Sequence, residues 1–150
     1  MKSARSWPLV ELAILFFAMW LSRDLVNAWH HSPHDRLGWL ALLVWLTPLA
    51  LLLKNDRAEL AANSYLLGAA ILCGLLSELA EVHFLNHVAL TLALSAWLKF
   101  SWRKLPWLLA AVAWMPIFGW WLADFSAGMV LIFRLALALA SVSAFWFLKK

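Results

Sequence analysis

The chain has 150 residues, of which 65% are hydrophobic and 13% are charged, and its formal net charge is +4. A soluble domain of this size cannot bury so much apolar surface, so the composition excludes an ordinary soluble protein and favours one embedded in a lipid bilayer. The positive charge does not indicate nucleic-acid binding, because nine of the twelve Lys and Arg residues flank apolar segments. Lys and Arg in such positions set the orientation of a membrane protein in the bilayer.

Short polar breaks divide the chain into six apolar segments, which we interpret as the transmembrane helices of a single all-α domain. The segments cover approximately, in chain order, residues 7–25, 37–53, 63–80, 83–98, 105–123 and 125–148. Pro48 lies inside the second segment and Pro116 inside the fifth, and a proline in a helix interior predicts a kink. The fourth segment forms only about 24 Å of helix, against a hydrocarbon core of about 30 Å.

The positive charges alternate between the breaks. Those at the chain start, after the second and fourth segments and at the chain end are Lys2, Arg5, Lys54, Arg57, Lys99, Arg103, Lys104, Lys149 and Lys150. The other breaks hold only Arg23 and Arg36, together with five of the eight acids and all five histidines. Lys and Arg in short loops stay on the cytoplasmic side during insertion, so both termini are predicted to be cytoplasmic. This pattern is typical of a multi-pass protein of the bacterial inner (cytoplasmic) membrane.

Most of the twelve tryptophans lie near predicted segment ends, which is typical of an aromatic belt at head-group depth. Those assigned to the inner side are Trp7, Trp97, Trp102, Trp107 and Trp146, and those on the outer side are Trp20, Trp29, Trp39, Trp120 and Trp121.

Arg134 is the one charge that topology does not explain. It lies well inside the sixth segment, about 15 Å below the outer end at helical rise. A guanidinium at that depth costs a few kcal/mol unless it meets an acid, and the candidate acids are Glu78, Glu81 and Asp124. We interpret Arg134 as half of an interhelical ion pair. The alternative is a contact with an anion or substrate in an outer cavity.

The histidines predict a second polar site. His83 and His87 are four residues apart at the start of the fourth segment, so they share a helix face and could chelate a metal ion. Further ligands would come from Glu78, Glu81, His30, His31 or His34. A bis-histidine haem would need one of the pair together with a histidine from another segment. The alternative is that these histidines only form hydrogen bonds to the nearby acids.

Cys73 is the single cysteine, and we interpret it as a small residue of the apolar core. As a nucleophile its thiolate would need a cationic neighbour, for which Arg134 is the candidate. The sequence contains no nucleophile elbow, Walker loop, HExxH or dinucleotide motif, so no catalytic residue is assigned.

Three stretches carry a family resemblance. His34-Asp35-Arg36-Leu37-Gly38-Trp39 leads into the second segment, Lys54-Asn55-Asp56-Arg57 forms the basic turn after it, and an apolar run from Leu105 ends in Met115-Pro116. In this order, from Trp29 to Phe147, the chain resembles the amino-terminal portion of the exosortase/archaeosortase family of multispanning membrane proteins.

That family carries a catalytic Cys, Arg and His in a carboxy-terminal portion, which by this alignment would begin where the chain ends. Cys73-Gly74-Leu75-Leu76-Ser77 is similar to the family's Cys-Ser-Gly segment and Arg134 to its arginine, but no histidine follows Arg134. The resemblance therefore implies a truncated, non-catalytic relative.

We accordingly expect a non-catalytic membrane subunit or scaffold that contacts lipid and partner membrane proteins, with no nucleic-acid partner and no required cofactor. The first alternative is a small membrane protein that binds a metal or haem through the outer His/acid cluster. The others are a transpeptidase-like enzyme that uses Cys73 and Arg134, and a transporter.

Overall fold

The computed structural model describes residues 9–55, 63–99 and 101–147. Within these ranges the chain is helical and contains no β-strand, so the all-α prediction is confirmed there. The α-helices are α1 (Leu9–Leu21), α2 (Asp24–His31), α3 (Gly38–Asn55), α4 (Ser64–Ala80), α5 (Phe84–Ser95), α6 (Leu105–Leu109), α7 (Pro116–Trp121) and α8 (Ala127–Phe147). Two 3₁₀ segments, Trp102–Lys104 and Ala110–Trp114, flank α6. Lys2, Arg5, Arg57, Lys149 and Lys150 of the charge pattern lie outside the described residues.

The first predicted segment differs from the structure, because its last two residues belong to a second helix that continues to His31. α1 ends at Leu21 and α2 begins at Asp24, with a polar turn at Ser22-Arg23 between them. The Ser22 hydroxyl donates a hydrogen bond of 2.9 Å to the carbonyl of Asn86 in α5, which fixes this turn against the bundle. Asp24 then occupies the first turn of α2, where the helix dipole favours a negative charge.

The fifth predicted segment is broken at Pro116, a stronger effect than the expected kink. α6 passes into the 3₁₀ segment 110–114, Met115 is extended (φ −79°, ψ 148°), and α7 begins at Pro116. A proline ring disfavours the helical conformation of the preceding residue, which accounts for the extended Met115. Pro48, in contrast, lies within a continuous α3. Close to it, the Thr47 hydroxyl donates to the Leu43 carbonyl at 3.3 Å.

By length and composition alone, one described helix, α8, is long and apolar enough to cross a bilayer. Shorter apolar helices of 10–17 residues cover Leu9–Leu21, Gly38–Leu52, Ser64–Ala80, Phe84–Ser95 and Leu105–Trp114.

The helices pack as two groups that share one bundle. α1, α4 and α5 pack on one another, while α3 and α8 pack together and against the segment from α6 to residue 114. Gly74 lets α4 approach α1 closely, because a Cβ there would lie 2.9 Å from a Leu21 methyl carbon.

Two buried tryptophans join α3 to α6. The rings of Trp45 and Trp107 stack in parallel with centroids 4.4 Å apart. Each indole N–H donates to the other residue's backbone carbonyl, at 2.7 Å from Trp45 and 2.9 Å from Trp107. The assignment of Trp107 to an aromatic belt is therefore wrong. Its ring lies in the core because α6 places it against α3, where its polar N–H finds a carbonyl acceptor.

Candidate functional site

Arg134 is completely buried in α8 and pairs with Asp35, which lies in the turn between α2 and α3. Its Nη2 donates to Asp35 Oδ1, and its Nη1 donates to the carbonyls of Ala113 (2.7 Å) and Met115 (3.2 Å). Those carbonyls lie where Pro116 interrupts the fifth segment, and the Met115 carbonyl also accepts from the Phe118 N–H at 3.1 Å. The break in the fifth segment thus supplies two of the three acceptors that hold the guanidinium.

The aromatic ring of Phe118 and the backbone of Gly119 complete the enclosure. Arg134 Cζ lies 5.4 Å from the Phe118 ring centroid, a distance at which a cation is attracted to the ring. A Cβ on Gly119 would lie 2.9 Å from Arg134 Nη2 and 3.1 Å from Asp35 Cγ. Only a residue without a side chain fits at this position of α7.

Gly119→Ala is therefore expected to lower the free energy of unfolding by about 1–3 kcal/mol, since its methyl group would displace Asp35 from Arg134. The matched control is Gly68→Ala in α4, where a Cβ meets nothing within 4 Å. That change should stabilise the helix by about 0.5–1 kcal/mol. Equilibrium unfolding of both variants measures the two effects. A Gly119→Ala variant as stable as Gly68→Ala would contradict the described geometry.

A second pair lies beside the first. His87 is buried in the first turns of α5, and its Nε2 donates to Asp24 Oδ2 of α2 at 3.0 Å. Both pairs border an open groove of about 630 Å³ between α2, α5 and α7. We call it the acidic groove, and its lining includes Asp24, Asp35, His83, His87, Ile117 and Trp120. Both carboxylates of this groove are already paired, Asp24 with His87 and Asp35 with Arg134.

The acids predicted to neutralise Arg134 do not do so. Glu78, Glu81 and Asp124 are exposed, and the Arg134 hydrogen bonds go to Asp35 and backbone carbonyls instead. Glu78 and Glu81 lie at the end of α4, which packs on α1 and α5, whereas α8 packs on α3. Asp35 was the residue that the sequence reasoning missed. Its position in a polar break directly before the second segment was the signal that could have found it.

The predicted histidine cluster is spread over the structure. His30 and His83 are exposed, and His34 Nε2 donates to the Phe125 carbonyl at 3.1 Å. His83 and His87 both line the acidic groove, but His87 Nε2 is already bonded to Asp24. Across the three described ranges, no group of three or more His, Cys, Asp or Glu side chains is placed to hold a metal ion.

Cys73 lies half-buried in α4. The guanidinium of Arg134 bonds to Asp35 and to the 113 and 115 carbonyls, so the structure does not bring the predicted nucleophile and cation together in a hydrogen bond.

Comparison of the chain with known protein families, curated proteins and solved structures finds no match.

Proposed function

We propose that the protein is a non-catalytic, multi-pass integral membrane subunit, exosortase-like in its sequence features, that packs against partner membrane proteins. In this proposal the six apolar segments cross a bacterial inner membrane, with both termini in the cytoplasm. The observation that carries it is Arg134, whose guanidinium is held by Asp35 and two backbone carbonyls. With these hydrogen bonds the guanidinium joins α8 to the rest of the bundle. It is less suited to contact a substrate.

The exposed surface supports the bilayer part of the proposal. Large apolar side chains are exposed along α1, α4 and α8, where a soluble monomer rarely leaves a continuous apolar face. They include Phe16, Met19, Leu72, Leu75, Leu76, Leu79, Ile132, Phe133 and Leu139. Lipid tails or the apolar faces of partner helices are the surroundings that match such side chains.

The packing of α5 fits the same proposal. At 12 residues it is about 18 Å long, too short to span a core of about 30 Å by itself. Its residues Asn86, Thr91 and Ser95 are nevertheless buried, because α1 and α4 pack against it. A short polar-lined helix inside a bundle is sheltered from lipid, so it is compatible with a thin or locally depressed bilayer.

Site-specific photo-crosslinking in native membranes tests the subunit role. A photoreactive residue would replace Phe16 on α1, Leu72 on α4 or Ile132 on α8, all of which are exposed. We expect a discrete protein adduct from one of these faces and only lipid adducts from the others. Solubilisation in a denaturing detergent before irradiation is the control and should abolish the adduct. Absence of a protein adduct from all three positions would contradict a subunit role.

The acidic groove supports a second candidate, a membrane protein that binds a metal ion or haem. His83, His87 and Asp24 border one groove, but His87 is bonded to Asp24 and the described side chains form no metal-ligand group, so such a site would need these residues to rearrange. Elemental analysis and a visible spectrum of the purified protein test it. Bound metal or a Soret band that disappears in His83→Gln would favour this candidate over the scaffold. The absence of both signals would rule the candidate out.

A further inference from the structure

A second groove, of about 550 Å³, lies on the other side of α2 and has the opposite charge. Its polar lining consists of His30, His31, Ser32 and Arg36, and we call it the basic groove. α2 and the turn after it therefore have two chemically distinct faces. Asp24 and Asp35 face the acidic groove, whereas the two histidines and Arg36 face the basic one.

Arg36 gives the basic groove its permanent charge. Its side chain is exposed, and none of the acids in the described ranges forms an ion pair with it. The neighbouring Asp35 forms its ion pair with Arg134 and lines the acidic groove. An unopposed guanidinium in a concave surface is suited to bidentate contact with a carboxylate or phosphate.

The histidines add polar ring nitrogens to the same concavity. His31 Nδ1 lies 3.0 Å from the Asn27 carbonyl, and a carbonyl only accepts, so Nδ1 carries the proton. Nε2 is then the ring nitrogen left to contact a ligand in the groove. Arg36 and the two histidines together match a phosphate better than the smaller, planar charge of a carboxylate.

Tryptophans form the apolar wall of the basic groove. Trp29 is fixed by a hydrogen bond of 3.1 Å from its indole N–H to the Trp114 carbonyl, and Trp39 lines the groove with 43% of its surface exposed. The first turn of α3, which begins at Gly38, adjoins Arg36 and adds the positive end of an 18-residue helix. A phosphate with an apolar substituent would contact both parts of this lining.

We propose that the basic groove binds the phosphate ester of an amphiphile, with the phosphate at Arg36 and the apolar portion along Trp29 and Trp39. An anionic phospholipid and a soluble phosphate ester share this chemistry. We favour the lipid as the ligand. This choice rests on the proposed function, because the proposed six-span topology places the groove at the level of the outer head groups.

The test is a thermal-stability titration of the detergent-solubilised full chain with three probes: short-chain phosphatidylglycerol, glycerol 3-phosphate and a diacylglycerol without phosphate. We expect saturable stabilisation by phosphatidylglycerol and none by diacylglycerol. Arg36→Gln should weaken binding about tenfold, since it removes a charged hydrogen bond. His31→Gln should weaken it less. Arg23→Gln is the matched control and should bind normally, because Arg23 is exposed but stacks on Trp20 outside the groove.

Equal binding of glycerol 3-phosphate and phosphatidylglycerol would support the phosphate contact at Arg36 and overturn the contact of an apolar portion with Trp29 and Trp39. That result would hold even if the chain proved not to be a membrane protein, so the two proposals fail separately. Stabilisation by diacylglycerol alone, no stabilisation by either phosphate compound, or unchanged binding by Arg36→Gln would overturn the inference.

Discussion

Arg134→Gln is expected to lower the free energy of unfolding by about 3–5 kcal/mol, the loss typical when one member of a buried ion pair is removed. The variant would leave the Asp35 carboxylate, whose side chain is only 10% exposed, without a counter-charge. It would also leave the Ala113 carbonyl without its Arg134 donor and the Met115 carbonyl with only the Phe118 N–H. Equilibrium unfolding in detergent, followed by circular dichroism, measures the change. Arg23→Gln, at an exposed arginine, should change stability by less than about 1 kcal/mol.

A double-mutant cycle shows whether Arg134 acts through Asp35. Asp35→Asn should also be strongly destabilising, because it leaves the guanidinium buried with only neutral acceptors. Asp35→Asn combined with Arg134→Met removes both charges. We expect its loss of stability to be smaller than the sum of the single losses by about 1–3 kcal/mol. Additive losses would mean that the two side chains contribute independently, and that Arg134 has another role.

Trp107→Ala is expected to cost about 3–5 kcal/mol, as large-to-small changes of buried aromatic residues do. The change removes the ring stacked on Trp45 and the hydrogen bond from the Trp107 indole N–H to the Trp45 carbonyl, while the backbone carbonyl of residue 107 stays as the acceptor for the Trp45 indole. Trp107→Phe keeps an aromatic ring but no donor, so its loss should be about 1–3 kcal/mol.

Trp121→Ala is the matched control for Trp107→Ala, since its side chain is 59% exposed. Its free energy of unfolding should lie within about 1 kcal/mol of that of the unsubstituted protein. If Trp107→Ala proved as mild as Trp121→Ala, the stacked pair would not be part of the core.

Local chemistry explains which parts of the fold the sequence could predict. The apolar runs account for α3, α4, α5 and α8. Asn63 also provides a side-chain acceptor for Tyr65 N–H and Leu66 N–H at the start of α4. Pro116 predicted a kink in the fifth segment, and the structure has a full break there.

The partner of Arg134 could not be predicted in the same way. Asp35 is 99 residues away in sequence, and the pair forms only because α8 packs beside the turn between α2 and α3. Hydropathy does not distinguish among the outer acids, and the candidates that the sequence indicates are Glu78, Glu81 and Asp124. Trp107 illustrates the same limit, because an indole suits both a head-group region and a core that offers a carbonyl acceptor.

In the proposed topology, the apolar segments cross a bilayer and both grooves lie on the outer side. Labelling of single-cysteine variants with a membrane-impermeant maleimide in bacterial spheroplasts tests it most directly. In a Cys73→Ser background, Asp124→Cys and Lys99→Cys replace two exposed residues on opposite predicted sides. We expect the maleimide to label position 124 in intact spheroplasts, and position 99 only after permeabilisation. Equal labelling of both positions, the reverse pattern, or recovery of the protein in the soluble fraction would contradict it.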